Sequence, residues 1–106
     1  MITIVNKHDY KGVGEYIGRP SVLGNPFSWK EGTLAKYHVA SRQASIDAYL
    51  PWLREQYKTN KAVHDELNRL VEIAKAGDLV LVCWCSPLPC HGDVLKSVID
   101  KIIARH

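Results

Sequence analysis

The stretch Asp78-Leu-Val-Leu-Val-Cys83-Trp84-Cys85-Ser86-Pro87-Leu88-Pro89-Cys90-His91-Gly92-Asp93-Val94-Leu95 decides how this chain folds. Leu79 to Val82 is an unbroken run of branched apolar residues behind a Gly77-Asp78 breaker, the pattern of a strand buried on both faces. From Asp93 the apolar residues Val94, Leu95, Val98, Ile99, Ile102 and Ile103 recur at three- and four-residue steps, which predicts a helix with one face turned to the sheet. Between strand and helix lie all three cysteines of the chain, a histidine, two prolines and a glycine. The chemistry of the protein is expected in that turn.

Working back toward the N-terminus, Val63, Leu67, Leu70, Val71 and Ala74 mark an amphipathic helix that starts near Thr59-Asn60 and is closed by Gly77. Ser41 is an expected N-cap for an earlier helical pattern running through Ala44, Ile46, Tyr49, Leu50, Leu53 and Tyr57. Pro51 sits inside it, so either one helix kinks there or two helices meet. Lys30 to Val39 is ambiguous. Arg19 to Trp29 cannot be a regular helix or an inner strand, because Gly18, Pro20, Gly24 and Pro26 punctuate it, yet Leu23, Phe27 and Trp29 predict that it packs against the body. Glu15-Tyr16-Ile17 and the β-branched run Ile2 to Val5 read as two further strands. The expected architecture is a single α/β domain over residues 1–106, Rossmann-like, with a mostly parallel sheet and flanking helices. Ligands of such sheets gather at the carboxyl ends of strands, where the Arg19 to Trp29 loop and the Cys83 to Asp93 turn would meet.

Composition narrows the class of function. A 106-residue chain with 46% hydrophobic residues can bury a core unaided, and a net charge of +3, scattered along the sequence, is too small to indicate nucleic-acid binding by itself. An odd number of cysteines crowded into one turn fits a reducing cytoplasm better than a disulfide scaffold. The first residues lack the pattern of a signal peptide and no window reaches the length of a membrane span, so a soluble cytoplasmic protein is expected.

Three readings of the turn stand side by side. Cys83, Cys85, Cys90 and His91 could hold zinc tetrahedrally, although their spacing is unlike that of common zinc sites and Cys83 alone reads as a small core residue. Cys90, ahead of a helix N-terminus and beside His91, could be a nucleophile or redox thiol. The amides around Gly92 and Asp93 could receive a phosphate or carboxylate, with Asp93 either capping the helix or serving, with His91, as an acid-base group. In the first loop Arg19 offers a fork for an anion, Asn25 can read an amide-like edge, and Phe27 and Trp29 can stack on a base. Trp84, opposite Cys83 and Cys85 on the strand, is expected in the core. His8, His38, His64 and His106 are expected at the surface.

The segments Tyr16-Ile-Gly-Arg19-Pro-Ser-Val-Leu-Gly-Asn25-Pro-Phe27 and Leu81-Val-Cys83-Trp-Cys85-Ser-Pro-Leu-Pro-Cys90-His91-Gly-Asp93-Val-Leu95, with Arg42 between them, resemble the family of domain of unknown function 4326, found in phages and bacteria. The resemblance implies no activity. It implies that Arg19, Asn25, Pro26, Phe27, Cys83, Cys85, Cys90, His91 and Asp93 belong to the family's signature, and it is compatible with a phage origin. The function expected from the residues is binding, with hydrolysis or transfer as an open extension, of a nucleotide, nucleoside or related phosphorylated molecule between the two stretches. One alternative is a structural zinc module for protein or nucleic-acid contact, and another is a non-catalytic phage protein that sequesters a host nucleotide signal.

Overall fold

The computed structural model describes residues 1–19, 21–29, 36–84 and 90–105. Strand β1 is Ile2–Asn6, β2 Glu15–Tyr16, β3 Phe27–Ser28 and β4 Tyr37–His38; helix α1 is Arg42–Thr59 and α2 Lys61–Ala76; β5 is Leu79–Cys83 and α3 His91–Ala104. The predicted inner strand is the middle of a three-stranded sheet in the order β1-β5-β2, and both of its pairings are parallel. Ile2 to Asn6 lie beside Leu79 to Cys83, and Glu15 and Tyr16 lie beside Leu81 and Val82. The expected small α/β domain with a mostly parallel sheet is therefore what the chain forms. β3 and β4 make a separate two-stranded parallel ladder.

The side chains of β5 alternate between two faces, and the faces are covered differently. Leu79, Leu81 and Cys83 enter one cluster with Leu67, Leu70 and Val71 of α2, Leu95 and Ile99 of α3, and Tyr49 and Leu53 of α1. Val80 and Val82 point the other way, where no helix lies over them among the described residues. Instead the chain around Gly14 presses on them: a Cβ at Gly14 would stand 2.7 Å from Val82 Cγ2. Trp84 continues this second face. Contrary to expectation it is outside the core, 56% exposed, because it lies past the end of the strand on the face turned away from the helix cluster.

Helix ends follow the sequence signals with two adjustments. The Ser41 hydroxyl accepts from the Ala44 amide and starts α1, which runs through Pro51 as one helix. Asn60 ends α1 and caps α2, its side-chain carbonyl accepting from Ala62 and Val63. Gly77 closes α2 by donating to the Ile73 carbonyl, but its backbone is extended and not left-handed. α3 begins two residues before Asp93, at His91, because Cys90 takes the N-cap position. None of the described helices is long and apolar enough to cross a membrane.

Tyr49 joins the helices to the first loop. Its ring is fully buried and its hydroxyl donates to the Leu23 carbonyl at 2.7 Å. Tyr49→Phe leaves that buried carbonyl without its donor while keeping the ring's packing, so the variant should lose about 1–3 kcal/mol of stability in urea unfolding.

Candidate functional site

Just after β2, which neighbours β5, Ile17 meets the start of α3 through a buried hydrogen bond: His91 Nε2 lies 2.6 Å from the Ile17 carbonyl oxygen. A carbonyl only accepts, so Nε2 carries the hydrogen, and in the neutral ring Nδ1 is left as the acceptor nitrogen. The imidazole also meets the Tyr49 ring edge-on, with centroids 5.0 Å apart. Burial holds the His91 pKa below its ordinary 6.5; the bond to Ile17 opposes this, the Arg19 charge adds to it, and Asp93 opposes it.

The first loop is built around Asn25, whose buried side chain spends its hydrogen bonds within the fold. Its Oδ1 accepts from the Phe27 amide at 2.9 Å, and its Nδ2 donates to Ser45 Oγ at 2.9 Å and to the Ser45 carbonyl at 3.2 Å. Ser45 Oγ donates in turn to the Phe27 carbonyl, and Arg19 Nη1 donates to the carbonyls of Asn25 and Phe27. Arg19, Asn25 and Phe27 are thus brought together, but as the frame of the loop. The aromatic rings have protein neighbours: Phe27 stacks on Tyr37 with centroids 5.2 Å apart, and the Arg42 guanidinium lies 5.5 Å above Trp29. Trp29 is 40% exposed, so it does not anchor the loop to the body as expected.

At the start of α3 the chain caps itself. Cys90 Sγ accepts from the Gly92 amide at 3.3 Å, and Asp93 Oδ2 accepts from the Cys90 amide at 3.0 Å, a capping box with sulfur in the place of a hydroxyl. Of the amides expected to receive an anion, that of Gly92 is met by the Cys90 sulfur and that of Asp93 by the Cys90 carbonyl. Gly92 serves close packing, since a Cβ there would stand 3.1 Å from Ile17 Cδ1 and 3.3 Å from Ile4 Cγ2. Of the four expected metal ligands, Cys85 lies outside the described residues, as does His106. Cys83 and Cys90 face each other with sulfurs 3.5 Å apart. Among the described residues no three histidine, cysteine, aspartate or glutamate side chains form a metal-binding group.

A cleft that the sequence reading missed lies on the other face of β5. It has a volume of about 560 Å³, and its wall runs through Lys7, His8, Tyr10 and Lys11, then Gly12 and Gly14, to Tyr16, Val82 and Trp84. Every strand of the main sheet contributes at its carboxyl end, because the Lys7 to Gly14 segment follows β1, Tyr16 ends β2, and Val82 and Trp84 close β5. The Trp84 indole donates to the Tyr16 hydroxyl at 3.0 Å, which fixes one ring against the other. Lys7 Nζ lies 5.2 Å from the Tyr16 ring centroid. Trp84 itself is anchored by its carbonyl, which accepts from Asn6 Nδ2. Among the described residues no acidic side chain lines the cleft; Asp9 contacts His8 at its rim, and Glu15 beside it is held by a bidentate bond from Arg69, which lowers its pKa. The signal for it was a basic, aromatic and glycine-bearing run, Lys7-His-Asp-Tyr10-Lys11-Gly12-Val-Gly14, directly after a strand.

One protein-family model, described as a domain of unknown function (DUF4326), matches residues 5–101 of the chain. No curated protein and no solved structure matches it.

The buried imidazole gives the fold a pH dependence. Because the folded pKa of His91 is depressed, the unfolded chain takes up the proton first, so stability is full above about pH 6.5 and falls as the pH drops through the folded value. Urea unfolding from about pH 8 down to about pH 5 should show this loss in the wild type, and a smaller one in His91→Gln, whose amide can still donate to Ile17 but does not titrate there.

Proposed function

We propose, for a chain that belongs to the DUF4326 family, that it binds a phosphorylated small molecule carrying an aromatic ring, with a nucleotide as the class that fits. The observation that carries this reading is the cleft at the carboxyl edge of the parallel sheet, where two lysines meet three aromatic rings. Parallel α/β sheets place ligands at this edge, and the cleft's volume lies in the range that holds drug-sized molecules, roughly 300–1,000 Å³. Lys7 and Lys11 hold the phosphate as point charges on flexible stems. Trp84, steadied by Tyr16, supplies a flat face for the base, with Tyr10 across the cleft.

The ligand moves with this reading from the gap between the Arg19 to Trp29 loop and the Cys85 to Asp93 turn to the opposite face of β5. The reason is hydrogen-bond accounting. Asn25, Arg19 Nη1, the Gly92 amide and the Asp93 carboxylate are engaged with the protein, and a ligand there would have to break those bonds. The cleft lysines have no carboxylate lining the cleft beside them to displace.

Calorimetric titration with AMP, with inorganic phosphate as the comparison, tests the proposal. AMP should bind more tightly than phosphate, by the stacking contribution of about 1–3 kcal/mol, and Trp84→Ala should remove that difference. The double variant Lys7→Ala, Lys11→Ala should weaken AMP at least about tenfold at low salt and flatten the salt dependence. Undiminished binding in the double variant, or no heat from a panel of nucleoside mono- and triphosphates, rejects the site.

A further inference from the structure

The two thiols at the end of β5 and the start of α3 are used by nothing in the nucleotide reading, and they face the other side of the sheet. Cys83 is the last residue of β5, Cys90 is the N-cap of α3, and their sulfurs stand 3.5 Å apart in the core. We propose that Cys83 and Cys90 form a reversible redox pair, closing to a disulfide when the protein meets a hydroperoxide.

Two observations converge on the pair. The sulfurs are in van der Waals contact already, so bond formation needs an approach of about 1.5 Å and no rearrangement of the sheet. The Gly92 amide donates to Cys90 Sγ and α3 points its positive end at the same atom, an arrangement that steadies negative charge on sulfur and marks Cys90 as the attacking group.

The chemistry balances in two steps. The Cys90 thiolate attacks one peroxide oxygen, the O–O bond breaks, and a sulfenic acid forms with release of hydroxide, or of an alkoxide when the peroxide is organic. Cys83 sulfur then attacks the sulfenic sulfur, the S–O bond breaks, and the S–S bond forms with release of water after protonation. Two electrons pass from the two sulfurs to the peroxide. Reduction by a cellular dithiol or glutathione returns both thiols by exchange.

Closure draws the end of β5 toward the α3 cap, whose Gly92 amide points at the Cys90 sulfur. It stays on the helix side of β5, opposite the nucleotide cleft, and the two proposals stand or fall separately.

Purified wild-type protein and Cys85→Ser are treated with hydrogen peroxide, denatured, alkylated and weighed intact. Cys85→Ser should lose both alkylatable thiols together, remain a monomer on a non-reducing gel, and regain both thiols with dithiothreitol. The wild type should keep one alkylatable thiol, placed at Cys85 by fragmentation of the peptide that spans it. In the double variant Cys83→Ser, Cys85→Ser, the remaining Cys90 should be trapped by dimedone and, without trapping, pass to oxygen adducts that dithiothreitol does not reverse. The proposal is overturned if Cys85→Ser keeps both thiols, if they are lost one at a time with irreversible oxygen gain, or if wild type pairs Cys85. It is overturned equally if the purified protein carries zinc and both thiols stay unreactive until it is chelated, because the cluster is then a metal site.

Discussion

β5 pairs with β1 on one side and β2 on the other, and in both pairings the strands run the same way. Parallel neighbours cannot be joined by a tight turn, so each connection must leave the sheet at one edge and return at the other. The carboxyl ends of β1, β2 and β5 therefore come together. From that edge leave the Lys7 to Gly14 segment, the Arg19 to Trp29 loop and the link to α3. The cleft, the loop frame and the thiol pair all exist where they do because of this one geometric constraint.

The loop after β2 is long and irregular, and its backbone polar groups need partners in the interior. A ring of buried bonds through Asn25, Ser45 and the Phe27 amide and carbonyl supplies them, with Arg19 reaching in from the rim. Such a network is costly when one member is missing, because every other member is then left desolvated without a partner. This explains why a stretch with the composition of a binding loop turns inward. An amide that could read a base and a guanidinium that could hold a phosphate have their bonds within the fold, where Asn25 ties the loop to Ser45 of α1.

Much of the fold was legible in the sequence because long elements carry a period. Leu79 to Val82 marked the central strand, Val63 to Ala74 and Val94 to Ile103 marked two helices, and Ser41 and Asn60 marked their boundaries. Elements of two residues carry no period, so β3 and β4 could not be read. Pro51 left α1 undecided, since sequence states that a hydrogen bond is lost there but not whether packing around Tyr49 and Leu53 compensates. The site was half legible. Sequence showed that Asp93 could cap a helix, but a thiol is not a usual N-cap, so the start of α3 was placed late. Trp84 was assigned correctly to the face opposite Cys83 and wrongly to the core, because alternation fixes a side chain's direction and says nothing about what lies over it.

That same alternation separates the cleft from the thiol pair. Val82 and Trp84 face the cleft; Cys83, between them, faces α3 and Cys90. A slip of one residue in the pairing of β5 would exchange the two sets, placing a thiol in the basic cleft and an indole in the core. The register is held against this by the core face, where Leu79 and Leu81 are 1% and 0% exposed, and by Gly14, whose missing side chain admits Val82 on the outer face. The glycine and the two leucines thus do more than fill space. They determine which face of one short strand turns to the cleft and which keeps its sulfur among hydrocarbon.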